Sequence, residues 1–138
     1  MASWQTTRFR IDLARPRVMG IVNVTPDSFS DGGLHASTIA AIAHCEQLLG
    51  EGADILDIGG ESSRPGALPV STEEELARVM PVVAAAVGLG CPVSVDTTQV
   101  EVMRAALDLG VDIVNDITAL GTPEALELVA ARNCGVCL

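Results

Sequence analysis

A chain of 138 residues in which 18 acidic side chains face 8 basic ones, a formal net charge of −10, repels phosphate backbones, which argues against nucleic acid as a partner. Apolar residues make up 49% and charged residues 19%, so intrinsic disorder is excluded and one buried core is within reach. All 8 basic residues are Arg, and a stretch without Lys holds neither a lysine Schiff base nor a P-loop.

From the N-terminus, residues 1–15 read as an arm, with an extra strand expected within 8–13. Short β-rich apolar runs then recur at 17–22, 54–59, 93–97, 112–117 and 134–138, with helical spacing between them. Ile39, Ile42, Cys45, Leu48 and Leu49 mark the first helix, between 37 and 49. Ser71 with Glu74, or Thr72 with Glu75, fits a capping box for the second. Its apolar stripe runs through Leu76, Val79, Met80, Val83 and Val87, and Pro81 is expected to kink or restart it. Glu73, Glu74 and Glu75 read as negative charge favoured at a helix N-terminus. Thr98 with Glu101 suggests the next box, ahead of Val100, Met103 and Leu107. Thr122 then Pro123 reads as cap and first turn of a helix through Leu126 and Val129. Gly50, Gly52, Gly88, Gly90 and Gly110 follow helical stretches, where left-handed backbone is expected.

Alternating strands and helices predict an α/β fold with a parallel sheet. A (β/α)8 barrel needs about 250 residues. With the fifth apolar run reaching Leu138, the expectation is one domain over 1–138 that covers the first half of such a barrel, strands one to five. A complete small doubly wound sheet is the rival, but the first turn carries no Gly-rich dinucleotide fingerprint. Cys134 and Cys137 form a lone C-x-x-C in a strand-like run and read as packing rather than redox or zinc chemistry. His35 and His44 lack metal spacing and read as helix-surface residues. No apolar run is long enough to span a bilayer, and the N-terminus lacks a signal-peptide core, so a cytoplasmic protein without membrane contact is expected.

Four runs end in polar residues that buried strands avoid: Asn23, Asp57 followed by Glu61, Asp96 with Thr97, and Asn115 with Asp116. In a parallel barrel these ends converge on the face that holds the active site. Each residue also has a plainer role: Asn23 satisfying loop backbone, Asp57 orienting a neighbour, Asp96 capping a helix, Asp116 pinning a turn. Two loops join them. One, over 25–33, is long and polar, carries Phe29 and Asp31, and has a composition suited to a lid. The other, over 59–66, combines glycines with Ser63, Arg64 and Pro65; Arg64 can bind a carboxylate or phosphate, or pair with Glu61 or a nearby Asp.

The stretches MGIVNVTPDSFSDGG, DILDIGGESSRPGA, SVDTTQVEV and VNDITAL, in this order, resemble the signature of the dihydropteroate synthase family from about Pro16 onward. The resemblance implies a (β/α)8 barrel of folate biosynthesis. It would join p-aminobenzoate to 6-hydroxymethyl-7,8-dihydropterin pyrophosphate and release pyrophosphate. It implies that Asp96 accepts from the pterin ring nitrogens, that Asn115 reads the pterin edge and that Ile117 makes an apolar contact to the ring. Asn23 is implied as the ligand of a Mg²⁺ cofactor near the pyrophosphate, and Asp96, Asn115 and Asn23 together as the catalytic set. Phe29 and Asp31, with Ser63, Arg64 and Pro65, are implied to shape the p-aminobenzoate pocket, where sulfonamides would compete. The full-length enzyme is expected as a homodimer. Ser63 replaces a common Thr, and Thr98-Gln99-Val100 replaces a common Ser-Lys-Pro. The family's later Asp, pterin-contacting Lys and pyrophosphate-binding basic residues have no counterpart within 1–138, so the stretch by itself is expected to be inactive. Two alternatives stand beside this reading: another pterin-binding barrel such as a methyltetrahydrofolate methyltransferase, and a non-catalytic half-barrel assembly module.

Overall fold

A computed structural model describes residues 2–25, 33–61 and 69–138. Five parallel strands, β3 (Met19–Asn23), β4 (Ile55–Gly59), β5 (Val93–Asp96), β6 (Ile113–Asn115) and β7 (Gly135–Cys137), lie side by side in chain order. Four helices alternate with them: α1 (Gly33–Gly50), α2 (Thr72–Val87), α3 (Val100–Asp108) and α4 (Pro123–Ala130). Each strand pairs with the next after one crossover helix, the arrangement of a barrel wall rather than of a doubly wound sheet, whose order reverses.

Strand periodicity sorts the side chains. Val22, Leu56, Ile58, Val93, Val95 and Val114 are buried against the helices with Val79, Val83, Val102, Met103 and Ala106. On the other face Ile21 is 60% exposed, while its register partner Asp57 is buried. The core is aliphatic, as the composition requires.

The helices follow their sequence signals with instructive departures. Ser71 caps α2, its hydroxyl accepting from the Glu74 amide, and Thr122 caps α4 ahead of Pro123. Pro81 neither ends nor restarts α2: it lies on the exposed side, so the carbonyl it leaves without a donor faces water. The buried line of α2 runs through Glu75, Val79, Val82, Val83 and Ala86, one position round from the expected stripe. The Thr98 box does not form. Gln99 is the cap residue of α3 without a side-chain capping bond: its Oε1 accepts from the Thr72 hydroxyl at 3.3 Å, and its amide donates to the Thr97 hydroxyl at 3.1 Å. Ile39 and Leu126 are more than half exposed, so they leave the predicted apolar faces of α1 and α4. Of the five glycines, Gly52, Gly90 and Gly110 adopt positive φ; Gly50 closes α1, and Gly88 stays right-handed as the C-cap of α2.

The arm is a hairpin of β1 (Ser3–Gln5) and β2 (Arg10–Asp12), antiparallel with Trp4 opposite Ile11. Ile11, Trp4 and Phe9 pack on Ile55, Ile113, Met19 and Cys137, mostly first residues of the parallel strands, so the hairpin covers the N-terminal end of the sheet. A side chain at Gly135 would meet the Trp4 indole at 2.8 Å, which is why glycine starts β7. Arg8 locks the arm in place. Its guanidinium reaches Asp112 at 2.7 Å and the Val87 and Cys91 carbonyls at 2.8 and 3.0 Å. Asp112, fully buried, also accepts from the Val93 amide at 2.9 Å. Cys134 and Cys137 are free thiols packed on the two apolar clusters, as expected, and His35 and His44 are exposed.

Candidate active site

The register aligns the strand ends. Asn23 pairs with Gly59, Gly59 with Asp96, Asp96 with Asn115, and Asn115 with Cys137, one row across five strands. Two residues back, on the same face, the row runs Ile21, Asp57, Ser94, Ile113, Gly135. Three of the residues expected at the site, Asn23, Asp96 and Asn115, therefore share the C-terminal edge of the sheet and one face. Gly59 leaves room beside Asp96: a Cβ there would sit 3.1 Å from the Asp96 carbonyl oxygen and 3.3 Å from its Cβ.

Asn115 Nδ2 donates to Asp57 Oδ2 at 3.1 Å, reaching across β5. This bond orients the amide: the nitrogen points to Asp57, and no other hydrogen bond of the Asn115 side chain is made among the described residues. Asp57 thus orients a neighbour. Asp57 Oδ1 and the Ser94 hydroxyl, both buried, form no hydrogen bond among the described residues. Burial pushes the Asp57 carboxyl above its ordinary range, opposed by the nearby Ser94 and Asn115 side chains.

Asp96 is half-buried among carboxylates. Burial, then the charges of Asp57, Glu75 and Asp116, push it up to about 6. Asp96 does not cap α3. Asp116 pins its turn, accepting from the Thr118 amide and hydroxyl at 2.8 and 2.7 Å and from the Leu120 amide at 3.2 Å. Ile117, one position on, is 65% exposed.

Asn23 is exposed at the end of β3, on a cleft of about 370 Å³ that Thr25, Ser37 and His44 also line. Phe29, Asp31, Ser63, Arg64 and Pro65 lie outside the described residues.

Sequence reasoning missed Glu75. It is 1% exposed and its carboxylate accepts from the Thr97 hydroxyl, while burial raises its carboxyl above the ordinary range. The signal was available: 75, 79, 82, 83 and 86 trace one helical face, and a carboxylate on that line is a buried one. Arg78, one turn on, donates to the Gly60 carbonyl at 2.9 Å and to Glu74 at 2.8 Å.

Polar groups from four strand ends, one of them an amide with a fixed donor and acceptor, suit a flat heterocycle with both kinds of edge atom. Residues 19–138 match the family model described as pterin binding enzyme. The chain belongs to the pterin binding enzymes. It is 56% identical over 138 residues to a dihydropteroate synthase of Neisseria meningitidis serogroup C, covering 98% of this chain and 49% of that protein. To the dihydropteroate synthase of Escherichia coli (strain K12) it is 54% identical over 129 residues, 93% of this chain and 46% of that one. Among solved structures it superposes on Xanthomonas albilineans dihydropteroate synthase with 4-aminobenzoic acid at a TM-score of 0.89 and 53% identity, over 99% of this chain and 51% of that one. Burkholderia cenocepacia dihydropteroate synthase complexed with 7,8-dihydropteroate gives 0.87 and 46%, over 99% and 45%. The chain spans about half the length of the curated relatives it matches. Within this pterin-binding family, the five parallel strands are those of the first half of a (β/α)8 barrel.

Proposed function

We propose that the chain forms the pterin-reading half of a dihydropteroate synthase site, a transferase of folate biosynthesis. The observation that carries this is the row Asn23–Gly59–Asp96–Asn115, in which Asp57 fixes the Asn115 amide and glycine keeps the space beside Asp96 open. Likeness to synthases solved with 4-aminobenzoic acid and with 7,8-dihydropteroate supports it.

In this reading Asp96 accepts from the pterin ring nitrogens and Asn115 answers the complementary edge, with the exposed Ile117 against the ring. The bond between the pterin methylene and the pyrophosphate oxygen breaks, and pyrophosphate leaves with its electron pair. The Asp96 carboxylate stabilises the cation that remains. The p-aminobenzoate amine then attacks the methylene carbon and loses a proton. Phe29, Asp31, Ser63, Arg64 and Pro65 are assigned to the pocket that places that amine, and sulfonamides would compete there.

Asn23 offers one hard amide oxygen on an open cleft, and no group of three acidic, His or Cys side chains able to hold an ion exists among the described residues. An amide oxygen is a hard donor suited to Mg²⁺, so Asn23 would be the residue that holds such an ion. When bound, the ion supplies charge neutralisation of the leaving pyrophosphate. No helix among the described residues is long and apolar enough to cross a membrane. A cytoplasmic setting and a homodimeric enzyme complete the proposal.

The test is formation of 7,8-dihydropteroate from the two substrates by the full-length natural protein and its Asp96→Ala variant. Turnover should fall at least about 100-fold, the scale for losing one electrostatic stabiliser of a developing charge. Near-normal turnover in the variant would sink the role given to Asp96.

A further inference from the structure

We propose that Glu75 is a positioning residue for Asp96, acting from α2 through Thr97; for a pterin substrate this deepens the synthase reading and rests on it. Three observations meet on Thr97. Its hydroxyl donates to the Glu75 carboxylate and accepts from the Gln99 amide at 3.1 Å. Its backbone amide donates to the Asn115 carbonyl at 3.1 Å. The residue directly after Asp96 is thus held by α2 on one side and by the Asn115 backbone on the other. With both its hydroxyl and its amide engaged, Thr97 fixes where β5 ends and where Asp96 is aimed.

Glu75 is out of place unless it does this. A carboxyl 1% exposed in the first turn of a helix interrupts an apolar face at a desolvation cost. A structural carboxylate at this end of a helix would serve equally well in water, as Glu73 and Glu74 do beside it. Instead it is turned inward beneath the strand ends. Arg78, one turn later, holds the Gly60 carbonyl, so two turns of α2 grip the ends of both β4 and β5. Gly60 has no side chain because Val79 Cγ2 would stand 2.7 Å from its Cβ, which keeps the grip close.

The charged groups around the pair are few among the described residues. Glu61 and Arg78 act on Glu75, and Asp57, Glu75 and Asp116 act on Asp96. Removing the Glu75 charge takes one negative neighbour from Asp96, so the Asp96 carboxyl must titrate at lower pH.

Two variants of the full-length natural protein separate geometry from charge. Glu75→Gln keeps an acceptor for the Thr97 hydroxyl and removes the charge; Glu75→Ala removes both. The first readout needs no substrate: the ¹³C shift of the Asp96 carboxyl against pH, with hydrogen exchange at the Thr97 and Gln99 amides. Both variants should move the Asp96 midpoint down by about half a unit or more, and only Glu75→Ala should speed exchange, by about tenfold or more. The second readout is KM for the pterin pyrophosphate against KM for p-aminobenzoate. Glu75→Ala should raise the former about tenfold and leave the latter unchanged, with Glu75→Gln restoring it above the acid limb. Wild-type Asp96 titration and wild-type amide exchange in both variants overturn the proposal. The expected titration and exchange changes, in a protein that does not use the pterin substrate, uphold the positioning role and overturn the synthase reading.

Discussion

Asp96 carries opposing demands. To accept from a heterocycle it must be ionised, yet burial and the carboxylates of Asp57, Glu75 and Asp116 push it up to about 6. Two consequences follow with opposite signs. In the proposed role, use of the pterin substrate should fall as pH drops through about 6, rather than near 4, because the acceptor form is lost there. Stability should move the other way. A carboxyl whose folded pKa lies above its unfolded value binds more protons in the folded state, so its contribution declines as pH rises from about 4 to about 6. Asp96→Asn should therefore stabilise the protein at pH 7 by about 1–2 kcal/mol, after allowance for solvent screening, and gain little at pH 4. Urea unfolding at the two pH values checks this; equal shifts at both would mean that the residue's charge is not what strains the site. Asp96 was legible in the sequence because strands in parallel sheets rarely end in carboxylates without a reason. Its pKa was not, since three of the groups that set it come from other elements.

At the scale of elements, the sequence reported strands better than helix faces. A strand needs only a short β-rich run; four of the five expected runs contain one, and the first overlaps β3, which extends one residue further to Asn23. A helix face depends on which residue the packing rotates inward, and in α2 that includes a glutamate which composition alone assigns to solvent. The start of α3 shifted by one residue: Gln99 rather than Thr98 is its cap, with the Gln99 amide held by the Thr97 hydroxyl before the helix begins. The hairpin was read only as one extra strand, because its partner β1 is three residues long and has no repeating neighbour. Its attachment is testable. Asp112 is fully buried and holds Arg8, the Arg8 amide and the Val93 amide together. Asp112→Ala should cost about 3 kcal/mol, at the low end for breaking a buried ion pair because the Arg8 side chain is 28% exposed. Trp4, the chain's single Trp, reports the loss directly: its emission should shift to the red as it leaves Gly135 and Ile113. An unshifted spectrum with unchanged stability would show the hairpin held without the Asp112 carboxylate, by its apolar contacts and its bonds to the Val87, Cys91 and Val111 carbonyls.

Over the whole molecule, among the described residues, the sheet is packed on its helical side, while its inner face is buried at Asp57, Ser94 and Ile113 and exposed at its β3 edge. The outward side of every strand is covered by helices, and the N-terminal end by the hairpin. On the inner face Ile21 is 60% exposed, and at the two edges β3 and β7 each pair with one neighbour only among the described residues. Such surfaces recruit strands and apolar side chains from whatever chain is near. The net charge of −10 opposes this between copies, but its range is limited to about 8 Å at physiological salt. Residues 1–138 expressed alone should therefore self-associate as salt rises, with a sedimentation mass above 14.3 kDa. Adding the C-terminal half of a related synthase should drive the mixture to a discrete one-to-one species, because parallel strands that close the barrel satisfy both edges at once. A monomer at every salt concentration, indifferent to the added half, would mean that these edges are already protected and that the inner face is stable in water.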